Sequence, residues 1–393
     1  MNFKRIINFD SILTRKSVFL FGPRLTGKST WLRNNFPNAL FINLLEKKTF
    51  DDYANNPNAL VSDLEIFKRK QVPLVIIIDE VQKLPYLLDE VHNQIEQHKN
   101  YRFILTGSSS RKLKRSGANL LGGRASWKEM HPLVFPEIKD NLQSRDELEK
   151  RILIGGLPHF YNSDMPFEDF DDYIQLYLNE EIKAEGAVRK YEAFNRFLLN
   201  AALANAKQVN FTQIGSDSQI PPRTIHDYFQ ILEDTLIGFM LYPYRDTPTR
   251  KAVSAAKFYL FDTGLTNALL RRHKLSSATP EFGEIFEQFI ITEIRSYISY
   301  KNKKSKMYFW RTTSKIEVDL IIQDEKKLWA IEIKSKSTLS PKDIRGLKYF
   351  REDNPKAKCF VVTLDSRHRI DEHGNEILNC LDFLKKLWAE EIF

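Results

Sequence analysis

Residues 17–31 read Ser17-Val18-Phe19-Leu20-Phe21-Gly22-Pro23-Arg24-Leu25-Thr26-Gly27-Lys28-Ser29-Thr30-Trp31. Ser17 to Phe21 suits a short buried strand, and Thr30-Trp31-Leu32-Arg33 suits the start of a helix. Between them, Gly22 to Ser29 has the G-x-x-x-x-G-K-[ST] spacing of a phosphate-binding P-loop, in the strand–loop–helix setting the motif requires. Gly22 and Gly27 let the backbone curl so that successive N–H groups face phosphate oxygens. The helix N-terminus adds partial positive charge at the same place. The expected nucleotide contacts are Gly22, Pro23, Arg24, Leu25, Thr26, Gly27, Lys28, Ser29 and Thr30. Lys28 is expected to reach the outer phosphates and Ser29 to take a magnesium position, so ATP and Mg2+ are the expected ligands. A chance glycine turn before a helix would show the same letters, but a second stretch answers this one downstream.

That stretch is Leu74-Val75-Ile76-Ile77-Ile78-Asp79-Glu80. A continuous β-branched run suits a strand buried on both faces of a parallel sheet. Asp79 falls at its C-terminal edge, where open α/β sheets bind ligands. This is the Walker B pattern: Asp79 is expected to hold magnesium and Glu80 to polarise the attacking water. Arg102-Phe103-Ile104-Leu105-Thr106-Gly107-Ser108-Ser109-Ser110 reads as another buried strand. Ser108, with Thr106 as the alternative, is expected to contact the γ-phosphate or the water; a plain strand-to-loop turn is the competing reading. Arg111-Lys112-Leu113-Lys114-Arg115 is a basic cluster, either solvated or facing nucleic acid. Arg124 follows the flexible pair Gly122-Gly123 and reads as an arginine finger, in cis or from a neighbouring subunit, or as a structural salt bridge.

Composition bounds the rest. The chain has 393 residues, enough for two or three domains. Its two cysteines, Cys359 and Cys380, make neither a disulfide framework nor a C-x-x-C metal site. No apolar run approaches the roughly 18 residues of a membrane span, and the N-terminus lacks a signal-peptide core. A cytoplasmic protein with no membrane partner is expected. The net charge is +8; residues 1–140 hold 22 Lys/Arg against 14 Asp/Glu, and the remainder balances at 37 against 37. The bulk charge of the C-terminal two-thirds therefore does not argue for nucleic acid.

The chain resembles the AAA-type ATP-binding proteins of bacteria and archaea that carry the C-terminal domain of unknown function numbered 4143. The residues that carry the likeness are Gly22-Pro23-Arg24 to Ser29, Asp79-Glu80-Val81-Gln82, Leu105-Thr106-Gly107-Ser108-Ser109, Gly122-Gly123-Arg124, Gly155-Gly156-Leu157-Pro158, and Lys257-Phe258-Tyr259-Leu260-Phe261-Asp262-Thr263-Gly264-Leu265, followed by the Glu317-Val318-Asp319 region. The resemblance implies an α/β architecture: a P-loop AAA-type parallel sheet over 1–140, a helical and winged-helix middle over 141–275, and a restriction-endonuclease-like α/β domain over 276–393.

The middle segment reads as helical to about residue 200, continuing through Glu180-Glu181-Ile182-Lys183. A helix-turn-helix follows, with Phe211-Thr212-Gln213-Ile214 first and a second helix opened by Pro221 and Pro222. Strands near Ile237–Tyr244 and Lys257–Phe261 are expected to form the wing. In a DNA reader the second helix would present Arg223, Thr224, His226 and Asp227. Asp227, Glu233 and Asp234 would repel phosphate, so packing against other domains or a protein partner is the equal alternative.

At the C-terminal end, Glu281 to Ile290 is an amphipathic helix with Glu287 beside its apolar stripe. Lys306–Arg311, Ile316–Ile322 and Leu328–Lys334 read as strands, the last two as a hairpin. If their polar faces meet, Asp319, Glu332 and Lys334 converge with Glu287. This resembles the PD-(D/E)xK nuclease core, with Glu332-Ile333-Lys334 as its E-x-K and Val318-Asp319 where Pro-Asp is usual. It implies that Glu287, Asp319 and Glu332 bind Mg2+ and that Lys334 positions or activates the water. Lys301-Asn302-Lys303-Lys304-Ser305-Lys306 is expected beside this site, holding phosphates or solvated. The function expected is Mg2+-dependent ATP hydrolysis coupled to a DNA-directed, plausibly DNA-cleaving, activity, with a homo-oligomer if Arg124 acts in trans. The alternatives are an ATP-driven switch or assembly protein with an unused nuclease-like scaffold, and a winged-helix regulator.

Overall fold

The computed structural model describes residues 3–56, 58–68, 74–109, 111, 121–178, 191–245 and 255–393. Lys112 to Arg115 of the basic cluster and Glu180 to Lys183 lie outside the described residues. The chain divides into two compact units, 5–131 with 234–236, and 1–4 with 132–233 and 237–393.

The first unit is built on strands β1 (Ser17–Phe21), β2 (Leu40–Asn43), β3 (Leu74–Asp79), β4 (Tyr101–Gly107) and β5 (Ala125–Glu129), with helices α1 (Lys28–Asn35) and α2 (Leu87–Gln97). The five strands lie side by side in the order β2-β3-β4-β1-β5, and every pairing is parallel. Ile76, Ile77 and Ile78 are fully buried, as the unbroken apolar run requires of a strand covered on both faces. The order puts β4 between the P-loop strand and the Walker B strand. The C-terminal ends of β1, β3 and β4 therefore share one edge, where the order reverses and a crevice opens.

The second unit holds β6 (Lys207–Gln208), β7 (Gly238–Pro243), β8 (Lys257–Leu260), β9 (Lys306–Arg311), β10 (Glu317–Asp324), β11 (Lys327–Lys334), β12 (Lys358–Thr363), β13 (Arg369–Ile370) and β14 (Glu376–Asn379). They form one sheet in the order β13-β14-β12-β11-β10-β9-β7-β8-β6. The helices that matter here are α3 (Arg145–Ile154), α4 (Phe211–Ser218), α5 (Pro222–Asp234), α6 (Pro280–Tyr300), α7 (Arg345–Asp353) and α8 (Cys380–Trp388). Thr279 caps α6, accepting from the Phe282 N–H, and Pro280 opens its first turn, the favoured arrangement at a helix start. The helix runs a further ten residues past the expected end at Ile290. Its Phe282, Ile285, Phe289 and Ile294 share one core with Leu320, Ile322, Ile331 and Ile333. On the opposite face, Leu347 and Phe350 of α7 pack with Trp310, Val318, Ile321 and Ala330.

Two expectations are corrected here. Strands β7 and β8 do pair as a hairpin, but β7 also pairs in parallel with β9. The hairpin is therefore part of the C-terminal sheet rather than a free wing. The Lys301–Lys306 cluster is not beside the acidic site. It follows the C-terminus of α6, 14 residues past Glu287, or roughly 21 Å along a helix axis. There Lys301 and Lys303 are held by Glu390 at 2.8 and 3.0 Å.

Candidate functional sites

The first site occupies the crevice of the parallel sheet. Gly27 takes φ 90° and Leu25 φ 63°, which curls the loop back on itself. A Cβ on Gly22 would run into the Met130 carbonyl oxygen, so no side chain is accommodated there. Thr26 Oγ1 donates to the Pro23 carbonyl at 2.8 Å. Lys28, almost fully buried, donates to the carbonyls of Gly22 at 2.5 Å and Pro23 at 3.0 Å. Ser29 Oγ donates to Asp79 Oδ2 at 2.6 Å. Arg24 and Leu25 are half-buried and Thr30 is exposed at the loop's rim. A hydroxyl and a carboxylate in contact at a helix N-terminus are hard oxygen donors, a set that fits Mg2+.

Glu80 continues from β3 with φ 62° and ψ 47°, a left-handed conformation that is strained for a residue with a Cβ and clusters at functional sites. Its N–H donates to Thr106 Oγ1 at 3.2 Å, and the Thr106 hydroxyl donates to Asp79 Oδ1. Gln82 Nε2 donates to Glu80 Oε2 and, at 3.3 Å, to Ser108 Oγ. Thr106 thus touches Asp79 and Glu80 directly, and Ser108 reaches Glu80 through Gln82. The sequence reading gave Gln82 no role; the only signal was its place in Asp79-Glu80-Val81-Gln82. Arg124 does not join this group. It precedes β5, whose first residue Ala125 pairs with Ser17, so it sits at the end of the sheet opposite the loop after Phe21. The length of β1 between them is roughly 13 Å. Its guanidinium pairs with Glu96 instead. The cis arginine-finger expectation is corrected accordingly.

The second site lies where β8, β10, β11 and α6 meet. Three residues of β10 advance against two of β9 between Val318 and Ile321. This bulge, a device common beside active sites, breaks strict alternation between Val318 and Ile321. Asp319 stands one step beyond the Leu320–Ile331 pair, which brings it to Glu332. Lys334 Nζ lies 3.0 Å from Asp319 Oδ2 and 2.6 Å from Glu332 Oε1. The Ile333 N–H donates to Asp319 Oδ2 at 2.8 Å. Glu332 Oε2 is buried with no hydrogen-bond partner. Glu287 arrives from α6 as expected, but Lys257 of β8 meets it at 2.8 Å and the Tyr259 hydroxyl donates to it at 2.6 Å. Lys257 also lies 2.5 Å from Glu317, which Arg311 holds at 3.0 Å.

Burial pushes the Glu332 carboxyl well above the usual range, and neighbouring Asp319 adds to the rise. Burial also raises Asp319, but Lys334 and Lys257 outweigh it and hold that carboxyl low. Burial raises Glu287 with only partial offset from Lys257. Burial lowers half-buried Lys334, but Asp319 and Glu332 outweigh it and hold the ammonium group well above its usual range. Lys334 thus stands as a cation between the two carboxylates.

Among the described residues no three His, Cys, Asp or Glu side chains approach closely enough to hold a metal ion. The expected triad of Glu287, Asp319 and Glu332 is corrected to that extent. The physical reason is that an ammonium group stands on each carboxylate. Asp319 and Glu332 nevertheless fit a hard divalent cation: both supply oxygen, they share one lysine, and the orphaned Glu332 Oε2 lacks a partner. A cleft of about 700 Å3 opens on the site, lined by Arg145, Ser277, Thr279, Glu287, Lys334 and Lys336 among others. On α5, Arg223, His226 and Asp227 are exposed and Thr224 is half-buried.

A parallel sheet carrying a P-loop strand and a Walker B strand on either side of a polar-tipped strand is the arrangement of a P-loop nucleotide-binding domain. Residues 14–139 match the family described as AAA domain, and residues 282–383 match a domain of unknown function, DUF4143. The chain is thus an AAA-type protein with a DUF4143 C-terminal domain, as the resemblance implied. Residues 145–276 match a further domain of unknown function, DUF8612. Uncharacterized protein Rv2008c of Mycobacterium tuberculosis is 24% identical over 88% of this chain and 76% of its own. Uncharacterized protein MJ1544 of Methanocaldococcus jannaschii is 22% identical over 95% and 89%. The crystal structure of protein VC1899 from Vibrio cholerae aligns over 95% of this chain and 96% of its own at 12% identity; its TM-score of 0.22 carries no argument. Among the described residues no helix is long and apolar enough to cross a membrane.

Proposed function

We propose that this chain is a Mg2+-dependent ATPase whose cycle governs a second site, centred on Asp319, Glu332 and Lys334, that hydrolyses nucleic-acid phosphodiesters. The observation that carries the second half is the bridging of Asp319 and Glu332 by Lys334 at 3.0 and 2.6 Å beside an open cleft. The order of elements α6-β9-β10-β11-α7-β12, with β9 to β11 antiparallel and β12 parallel to β11, supports a restriction-endonuclease-like reading. On this reading 1–140, 141–275 and 276–393 are the ATPase segment, the helical segment with its helix-turn-helix and hairpin, and the nuclease-like segment.

In the crevice, Lys28, which rests on the Gly22 and Pro23 carbonyls, would bind the outer phosphates, and Ser29 and Asp79 would hold Mg2+. Glu80, held by Thr106 and Gln82, orients the attacking water. In the cleft, Arg145 and the Ser277 hydroxyl receive the phosphate backbone, which bidentate cations and short donors suit. Asp319 and Glu332 would hold a divalent ion, and Lys334 would face the scissile phosphate. When bound, such ions neutralise phosphoryl charge and lower the pKa of a bound water.

The test is nicking of supercoiled plasmid in Mg2+ or Mn2+. Asp319→Asn should lower the rate by about 100-fold or more, the scale of losing an essential polar group. Wild-type nicking rates in Asp319→Asn would remove the assignment.

A further inference from the structure

The acidic site contains a cation that the catalytic reading does not use. Lys257 comes from β8, far in sequence from the acids it meets, and is 3% exposed. Its Nζ lies between Glu287 at 2.8 Å and Glu317 at 2.5 Å. A divalent cation that took Glu287 as a ligand would have to displace the Lys257 ammonium group from that carboxylate, since the two cations cannot share it at contact distance. Lys334 shares a strand with Glu332 and is fixed to it locally. Both partners of Lys334, Asp319 and Glu332, belong to the proposed metal site, whereas one partner of Lys257, Glu317, does not: Lys257 can release Glu287 and stay paired with Glu317, so that no charge is left alone. The orphaned Glu332 Oε2 and the cleft reaching Glu287 and Lys334 supply the room and the unused donor for an incoming ion.

We propose that Lys257 is an internal counter-ion that competes with a divalent cation for Glu287, so that the acidic site is held closed to metal until Lys257 withdraws onto Glu317. The inference rests on the metal-site reading above, but concerns a residue outside that reading. Because Lys257 lies on the β7–β8 hairpin, in the segment matching DUF8612 rather than DUF4143, a movement of that hairpin would set the metal affinity of the site.

The experiment is Mn2+ binding to the full-length, nucleotide-free chain, followed by the electron paramagnetic resonance signal of free Mn2+. Binding that Asp319→Asn removes counts as this site. Lys257→Met should bind Mn2+ at least about tenfold more tightly than wild type, a difference well resolved by the method. Glu317→Gln, which takes away the second partner and leaves Lys257 on Glu287 alone, should bind more weakly than wild type. The Glu317→Gln arm stands by itself if Lys257→Met does not fold. Equal or weaker binding by Lys257→Met, or unchanged binding by Glu317→Gln, overturns the proposal while leaving a metal site in place. Absence of any Mn2+ binding sensitive to Asp319→Asn, in every variant, overturns it together with the metal-site reading.

Discussion

Glu293 gives the clearest residue-scale consequence. Its Oε1 accepts from the Phe135 N–H at 2.6 Å and from Trp388 Nε1 at 2.8 Å, yet burial pushes its carboxyl from 4.5 up to about 7. The folded state therefore holds this proton more tightly than the unfolded chain does. The stability this contributes is full below about pH 4.5 and is lost as pH rises through about 7. Glu293→Gln keeps an oxygen for both donors and cannot ionise. It should flatten that part of the stability profile in urea titrations and exceed wild type at pH 8 by up to about 3 kcal/mol. At the nucleotide site, Glu80→Gln should retain ATP binding but hydrolyse about 100-fold more slowly or worse, as read by phosphate release. Residue by residue, Lys28, Ser29, Asp79 and Glu80 were legible because the P-loop and Walker B motifs are local and dense. Asp319, Glu332 and Lys334 were legible through E-x-K and strand alternation. Lys257 was not, because a lysine opening a strand ordinarily faces solvent, and nothing nearby in sequence names Glu287 or Glu317 as its partners.

At the scale of elements, helix α7 lies close against β10 because Gly346 has no side chain. A Cβ there would overlap the carbonyl oxygen of Glu317. That contact is with backbone, so it cannot be relieved by a rotamer change. Gly346→Ala should destabilise the fold by about 2 kcal/mol, within the range of overpacking a tight interface, measured by chemical denaturation. It should also disturb the bulge that brings Asp319 to Glu332. The strands and helices themselves were largely readable from periodicity: β1, β3, β10 and β11 fall within a residue or two of expectation. The pairing of β7 with β9 was not readable. Both strands are short and apolar, and a parallel neighbour 60 or so residues away leaves no local pattern. The bulge in β10 likewise depends on how β9 aligns with it, not on the letters of β10 alone.

At the scale of the whole molecule, the two units carry chemically separate sites, each with its own lysine. ATP binding should stabilise the first unit by about 2.7 kcal/mol at a hundredfold excess over Kd. In calorimetry Lys28→Ala should lose that shift. The parallel order β2-β3-β4-β1-β5 follows from the buried apolar strands and the motifs at their ends, which is why the AAA class could be read early. The proposed coupling between sites could not be read early, since no single stretch encodes it. The most direct measurement is ATP hydrolysis and plasmid cleavage in parallel on wild type, Lys28→Ala and Lys334→Ala, with Mg2+ or Mn2+ and with or without ATP. Lys28→Ala is expected to stop ATP hydrolysis but leave ATP-independent cleavage, whereas Lys334→Ala stops cleavage but leaves ATP hydrolysis. Continued ATP turnover with no DNA cut under any condition, or cleavage that survives Lys334→Ala, would contradict this expectation.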